Sequence, residues 1–501
     1  MDRRKFIKGS ALAAGGLALY SGQSDACLRE CPAEPASFNL TMKDPTLADL
    51  TGGKRPNILF IMTDQERWPG NLPPTLNRPH FDRMRENSVS FDNTFCVYPL
   101  CSPSRAAMMN GMYCHQSGVM QNMMWPVAKK PLSRKDPHLG SVLSSAGYRI
   151  GYKGKWDLSR GPTYYAMNLK DRGRAGKYGF EGHCGDVPDQ EYGYAADDQV
   201  VDMSCDWIGQ QSKDQPWFLV SSIINPHDIC HPQLKPDDSI RPDVELPASW
   251  RDDLSDKPAD QQALRESMLA HFNQFKHPDS KPFFKYEERD WKLFLSFYYD
   301  LIETTDRYIG KLMKALEDNG MAENTIIVYT SDHGELGGAH GFSGKYMGYE
   351  EDLHVPLYVY HPSLKQGSVD AMVENTSIAP TIAGLAGAEW PSDIPGQDLG
   401  PWLNGGDGPS RDEVFSETET RVHAGVYRYR KATRMIRTGQ YKLSWSFYKA
   451  KDGQLYDLAA DPIEMNNLFH DPAHKGLRDE LMGRLRAWQK ETGDHLMVPN
   501  I

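Results

Sequence analysis

Short, mostly apolar β-rich runs alternate along this chain with longer segments of helical periodicity, and that pattern belongs to an α/β protein with a largely parallel sheet. The runs are Asn57-Ile58-Leu59-Phe60-Ile61-Met62, Tyr148-Arg149-Ile150-Gly151-Tyr152, Phe218-Leu219-Val220-Ser221-Ser222-Ile223-Ile224 and Thr325-Ile326-Ile327-Val328-Tyr329. Ahead of the last one, Phe294, Phe297, Leu301, Tyr308, Leu312 and Leu316 recur at helical spacing, and Gly320 supplies the stop. The expected fold is α/β: a large mixed, mostly parallel sheet sandwiched by helices, with a smaller C-terminal α+β domain. Turn-rich sequence from Trp390 to Pro409 marks the boundary. Beyond it, Tyr427 to Leu458 reads as short strands and Leu477 to Thr492 as a closing helix. The expected organisation is therefore a targeting segment over 1–26, a linker over 27–54, the large domain over 55–400, and a small antiparallel-sheet-plus-helix domain over 401–501.

In parallel sheets, ligands sit at the carboxyl ends of the strands, so the residues that follow each run matter most. The first run enters Thr63-Asp64-Gln65, the second Lys153-Gly154-Lys155-Trp156-Asp157, the third Asn225-Pro226-His227, and the fourth Ser331-Asp332-His333-Gly334. Each alone is weak, because an Asp after a strand commonly caps a helix. Sharing one edge, they combine carboxylates, imidazoles, an amide and lysines. Oxygen donors with imidazole suit a hard to borderline divalent cation, and lysines beside it suit a tetrahedral oxyanion. The set points to metal-assisted cleavage of a phosphate- or sulfate-type ester.

A fifth segment, Cys101-Ser102-Pro103-Ser104-Arg105-Ala106-Ala107-Met108-Met109-Asn110-Gly111, opens with a cysteine where Ser102 as N-cap and Pro103 at N1 predict a helix start. This string resembles the sulfatase signature C-x-P-S-R with its Met/Leu, Thr/Asn, Gly ending. The resemblance runs from about Arg55 to Leu468. It includes Gly147-Tyr148-Arg149 to Trp156, Thr330 to Glu335, Tyr349-Glu350, Val355-Pro356-Leu357, Ala379-Pro380-Thr381-Ile382 to Gly387, and Leu455-Tyr456-Asp457-Leu458 with Asp461-Pro462 and Asn467-Leu468. The chain thus resembles the formylglycine-dependent type I sulfatases of the alkaline phosphatase superfamily, and 55–400 is expected to be the catalytic domain.

The resemblance implies a set of roles. Cys101 is oxidised by a formylglycine-generating maturation enzyme, and its hydrate attacks sulfur. Arg105 holds the diol, and Asp64, Gln65, Asp332 and His333 bind the metal. Lys155 and Lys345 contact sulfate oxygens, and His227 binds or protonates the leaving oxygen. The family metal is calcium, but Gln65 and His333 replace carboxylate-richer patterns and leave manganese open. The same pair resembles choline sulfatases and phosphonate monoester or phosphodiester hydrolases, which are the alternative reading. Many sulfatases have His where this chain has Asp157. Asp157 is a candidate base for sulfate release, and it also motivates a third reading, a non-catalytic binding protein on the same scaffold.

Composition excludes other classes. With 56 Lys+Arg against 67 Asp+Glu the net charge is −11, so no basic surface exists for nucleic acid. Arg3-Arg4-Lys5, the mild apolar run Ala11–Tyr20 and Ser24-Asp25-Ala26 read as a twin-arginine export signal too short to span a bilayer. The expected location is periplasmic or extracellular, without stable membrane insertion. Eight cysteines at this length do not make a disulfide-stapled scaffold, and His227, Cys230 and His231 at near-ligand spacing read as incidental. The stretch from His231 to Glu288 reads either as a substrate-selecting lid or as a solvated excursion, and Tyr164 to Tyr194 as loop. The expected substrate is an aryl or carbohydrate sulfate ester.

Overall fold

A computed structural model describes residues 42–43, 46–123, 130–159, 175–184, 194–230, 239–272, 287–391, 393–422, 429–447 and 452–500. The export-signal reading, most of the 164–194 loop, and residues 231–238 and 273–286 of the 231–288 insertion fall outside them.

The principal sheet is formed by β1 (Asn57–Asp64), β2 (Ser88–Phe95), β3 (Arg149–Gly154), β4 (Glu181–Cys184), β5 (Trp217–Pro226), β6 (Thr325–Ser331), β7 (Leu357–Tyr360) and β8 (Gly367–Glu374). Its eight strands lie in the order β4-β3-β5-β1-β6-β7-β2-β8. β7 runs antiparallel to both neighbours, and the other pairs are parallel. β1, β5 and β6 are buried along their whole length, which is why they read as continuous apolar runs.

Side-chain alternation divides the strands between two cores. Ile58, Phe60 and Met62 pack on one face with Leu139, Val142, Met108, Ile378 and Ile382. Leu59 and Ile61 pack on the other with Trp207, Tyr308, Ile309 and Leu312. The helix Glu288–Asp318 covers that second face, as its apolar spacing predicts. Helices on both faces make the expected sandwich.

A second, antiparallel sheet in the order β12-β11-β10-β9 is built from β9 (Glu413–Val422), β10 (Tyr429–Thr438), β11 (Tyr441–Ser446) and β12 (Gly453–Asp457). The helix Lys475–Thr492 packs on it through Leu481, Met482, Leu485 and Trp488. That core also contains Val97, Tyr98, Leu100 and Tyr113, which flank Cys101 in sequence. The segment leading to Cys101 is therefore anchored by the C-terminal sheet. The described part of the 231–288 insertion is not a solvated excursion: Leu254 and Leu264 pack with Leu336, Phe342 and Tyr349.

Among the described residues, no helix is long and apolar enough to cross a membrane.

Candidate active site

Because β3, β5, β1 and β6 are consecutive and parallel, their carboxyl ends lie side by side, and the predicted polar residues gather at one edge. Two backbone reversals aim them. Gln65 turns out of β1 at φ 74°, a left-handed conformation rare for a residue with a Cβ. The Tyr298 hydroxyl holds that bend by donating to the Gln65 carbonyl at 2.8 Å and accepting the Arg67 N–H at 3.0 Å. Gly154 ends β3 at φ 95°, and a Cβ there would lie 2.0 Å from the Ser222 carbonyl oxygen. That close approach lets the Lys155 N–H donate to the same carbonyl at 3.1 Å.

Cys101 heads the helix Cys101–Asn110. The helix starts earlier than expected: Leu100, not Ser102, is the N-cap, so Pro103 occupies the third helical position rather than the first. Ser102 is engaged elsewhere, its N–H donating to Asn122 Oδ1 at 3.0 Å and its hydroxyl accepting the Met123 N–H at 2.9 Å. Proline in the first turn still removes no helical bond. The helix N-terminus points partial positive charge at the cysteine.

Around the Cys101 thiol stand Lys345 Nζ at 3.0 Å, His333 Nε2 at 3.4 Å and Asp64 Oδ1 at 3.7 Å. Arg105, one helical turn on, spans the floor of the site. Its Nε donates to Asp332 Oδ2 at 2.8 Å, its Nη2 to Asp64 Oδ2 at 2.9 Å, and its Nη1 to Ser222 Oγ at 2.8 Å and the Lys155 carbonyl at 2.9 Å. Lys155 Nζ reaches Asp64 Oδ2 at 2.6 Å, and Lys345 Nζ reaches Gln65 Oε1 at 2.8 Å. Cys101, Arg105, Asp64, Gln65, Asp332 and His333 are sealed from solvent.

The electrostatics favour an anion at residue 101. Burial and the Asp64 carboxylate oppose charge on the thiol, but Lys155, Lys345 and His333 outweigh them and hold it well below the ordinary thiol range. Burial likewise opposes charge on Asp64, yet Lys155, His227, Lys345 and Arg105 keep it ionised. Burial also disfavours a charged His227, but Cys230 and Asp64 reverse this and raise its pKa to about 10. Asp157 stands apart. Burial raises it to about 6 despite Lys155, its backbone is left-handed at φ 51°, and its Oδ2 has no hydrogen-bond partner among the described residues.

A divalent cation suits this donor set. Asp64, Cys101, Asp332 and His333 each bring a ligand atom within 4.8 Å of the others. His333 Nδ1 lies 2.9 Å from the Gly334 carbonyl, which accepts its proton, so Nε2 is the nitrogen that faces the carboxylates.

Every site residue expected from the sequence therefore lies at this edge, and three further residues support it. Ser222 orients Arg105, Ser104 donates to the Asp332 carbonyl, and Glu335 accepts from Gln65 Nε2. Ser222 carried a readable signal, a polar residue inside an otherwise apolar strand run. Cys230 is also present, its thiol 3.4 Å from Gln65 Oε1, while His231 lies outside the described residues.

Comparison with known proteins agrees with this geometry. Residues 56–388 match the sulfatase family, and residues 338–491 match the family described as N-sulphoglucosamine sulphohydrolase, C-terminal. The N-acetylglucosamine-6-O-sulfatase of Bacteroides thetaiotaomicron is 29% identical over 88% of each chain. The ulvan-active sulfatase of Formosa agariphila is 28% identical over 88% of this chain and 82% of its own. The solved structure of a 2-O GAG sulfatase superposes with a TM-score of 0.73 at 25% identity, covering 88% of this chain and 93% of the other. Edge, fold and relatives converge, and the chain belongs to the sulfatase family of sulfuric ester hydrolases.

Proposed function

We propose that this protein is an exported carbohydrate sulfatase in which Cys101, matured to formylglycine by a dedicated generating enzyme, provides the nucleophile. The observation that carries the reading is the Cys101 thiol at a helix N-terminus, 3.0 Å from Lys345 Nζ and 3.4 Å from His333 Nε2, above the Arg105 bridge. The sulfur marks the place of the diol oxygens. Asp64, Gln65, Asp332 and His333 would hold calcium or manganese, which when bound polarises sulfate oxygens and lowers the pKa of the diol.

The chain's own groups do the rest. Lys155 and Lys345 neutralise the sulfate oxygens in a water-poor site, where fixed charges act strongly. Arg105 holds the nucleophile's oxygen and keeps both carboxylates in place. His227 gives a proton to the alcohol oxygen as the ester S–O bond breaks. Asp157, with its open Oδ2, takes a proton from the second hydroxyl as sulfate leaves and the aldehyde returns.

A sugar substrate is supported by the relatives named for N-acetylglucosamine-6-O-sulfate and ulvan. Export to the periplasm or beyond rests on Arg3-Arg4 and the apolar run behind them. Gln65 and His333 favour one second reading, hydrolysis of phosphonate monoesters or phosphodiesters at the same site. Kinetics on matched sulfated sugars, aryl sulfate, phosphate diester and phosphonate ester decide between them. Sulfate esters are expected to dominate kcat/KM, and a dominant diester rate would overturn the sulfatase assignment.

A further inference from the structure

Gln65 is the only amide among the proposed metal ligands, and an amide ligates through oxygen only if it is turned the right way. We infer that Glu335 is the positioning residue that turns it. This rests on the reading of Gln65 as a metal ligand and extends it to a residue outside the ligand set.

Glu335 is fully buried, and among the described residues its carboxylate accepts from Gln65, Gly337 and Gly344. One oxygen, Oε1, accepts the Gly337 N–H at 2.8 Å and the Gly344 N–H at 2.7 Å. The other, Oε2, accepts from Gln65 Nε2. On the far side of the amide, Lys345 Nζ donates to Gln65 Oε1 at 2.8 Å. A carboxylate only accepts and an ammonium only donates, so just one amide orientation satisfies both neighbours. A flipped amide would set oxygen against carboxylate and NH2 against ammonium. The side chain is locked with its oxygen toward the Cys230 thiol and toward Lys345 Nζ, itself 3.0 Å from the Cys101 thiol and 3.9 Å from Asp64 Oδ1.

The same carboxylate joins three segments. It holds the β1 end through Gln65, its own loop through Gly337, and the loop carrying Lys345 through Gly344. Arg67 clamps the loop from behind by donating to the Glu335 and Leu336 carbonyls. One buried group thus sets both the ligand's orientation and the register of a lysine beside the nucleophile.

Glu335→Gln tests this with almost no change in volume. The Gly337 and Gly344 N–H groups require an acceptor, so the new side chain keeps its oxygen there and presents NH2 to Gln65. Gln65 then flips and turns its own NH2 toward the metal position. Calorimetric titration of the metal-stripped, full-length protein with Mn2+ and with Ca2+ should show binding weakened 10- to 100-fold in E335Q, the usual effect of losing a group that orients a ligand. Melting temperature in the absence of metal should stay close to wild type.

The rescue is specific. Gln65→Glu in the E335Q background restores an amide–carboxylate pair and offers oxygen whichever way it turns, so affinity should return to within a few-fold of wild type. Wild-type affinity in E335Q, or a double variant no tighter than E335Q, would overturn the inference while leaving the metal centre intact. No saturable cation binding by the wild-type protein would overturn the metal reading itself, and this inference with it.

Discussion

At the residue scale, the least ordinary group is Asp157. It combines a left-handed backbone, a sealed oxygen without a hydrogen-bond partner among the described residues, and a pKa raised to about 6 by burial. Such strain at a site edge is sustained only where the surrounding structure enforces it. As the proposed base, Asp157 works when ionised, so the sign is fixed: turnover is full well above pH 6 and falls as the pH drops through about 6. In Asp157→Asn the alcohol should still appear as a burst of about one equivalent, while steady turnover falls by roughly 10²- to 10⁴-fold, the usual contribution of a general base. Alcohol and sulfate are followed separately by rapid quench. Equal loss of both, or an unchanged acid limb, would remove Asp157 from the chemistry.

Much at this scale was legible beforehand. Asp64, Gln65, Asp332, His333 and Lys155 sit at the ends of runs whose apolarity marks them as strands, so their convergence follows from the parallel sheet. Arg105 and Lys345 came from the family resemblance instead, because neither follows a strand. Glu335 was visible in the Thr330–Glu335 run but had no role there, since two of its partners are backbone N–H groups that leave no trace in side-chain chemistry and the third, the Gln65 amide, is brought to it only by the fold. The start of the Cys101 helix was misread for a related reason: Ser102 is a good cap by type, but Asn122 and Met123 occupy its polar groups.

At the element scale, the junctions between strand ends and loops carry the function. Gly154 is the clearest case. Gly154→Ala would impose a side chain on a backbone at φ 95° and drive its Cβ against the Ser222 carbonyl oxygen. Strain of this kind costs about 1–3 kcal/mol, and relieving it moves the chain that carries Lys155 and Asp157. The expected outcome is a lower melting temperature by calorimetry, with kcat/KM reduced more than about tenfold because charge positioning is the main source of rate. Unchanged kinetics would show that the β3 turn does not set the lysine. The sequence revealed β1, β5 and β6 well because they are buried on both faces. It missed β9, whose Glu417 and Glu419 look like a surface strand but are buried.

At the scale of the whole molecule, the helix that Cys101 begins is shared by two cores, with Ala106 and Met108 in one and Ala107 in the other. Val97, Tyr98 and Leu100 lie in the hydrophobic cluster of the C-terminal sheet, and the Glu417 N–H donates to the Val97 carbonyl at 2.9 Å. A buried ionic network reinforces the join. Arg434 donates to Asp494 through Nη2 at 2.8 Å and lies 3.5 Å from Glu417, which accepts the His115 N–H at 2.9 Å. Arg434→Met leaves those carboxylates buried without their cation and should cost about 3–5 kcal/mol in chemical denaturation. The exposed pair of Lys314 with Asp318 is the control, and Lys314→Met should change stability by no more than about 0.5 kcal/mol. Equal effects would show that the network does not hold the C-terminal sheet to the segment that follows the Cys101 helix. No sequence pattern announced this join, because its residues are spread from Val97 to Asp494 and only the fold brings them together.

The acidic chain thus concentrates Arg105, Lys155 and Lys345 at one edge, around the single residue, Cys101, that the proposed mechanism requires to be converted to formylglycine. The most direct test is peptide mass analysis of Cys101 across preparations made with and without a formylglycine-generating enzyme, set against sulfate release from a sulfated sugar. Sulfate release should rise in proportion to the fraction of Cys101 present as aldehyde and vanish in Cys101→Ala. Full activity in protein whose Cys101 remains an unmodified thiol would contradict the account.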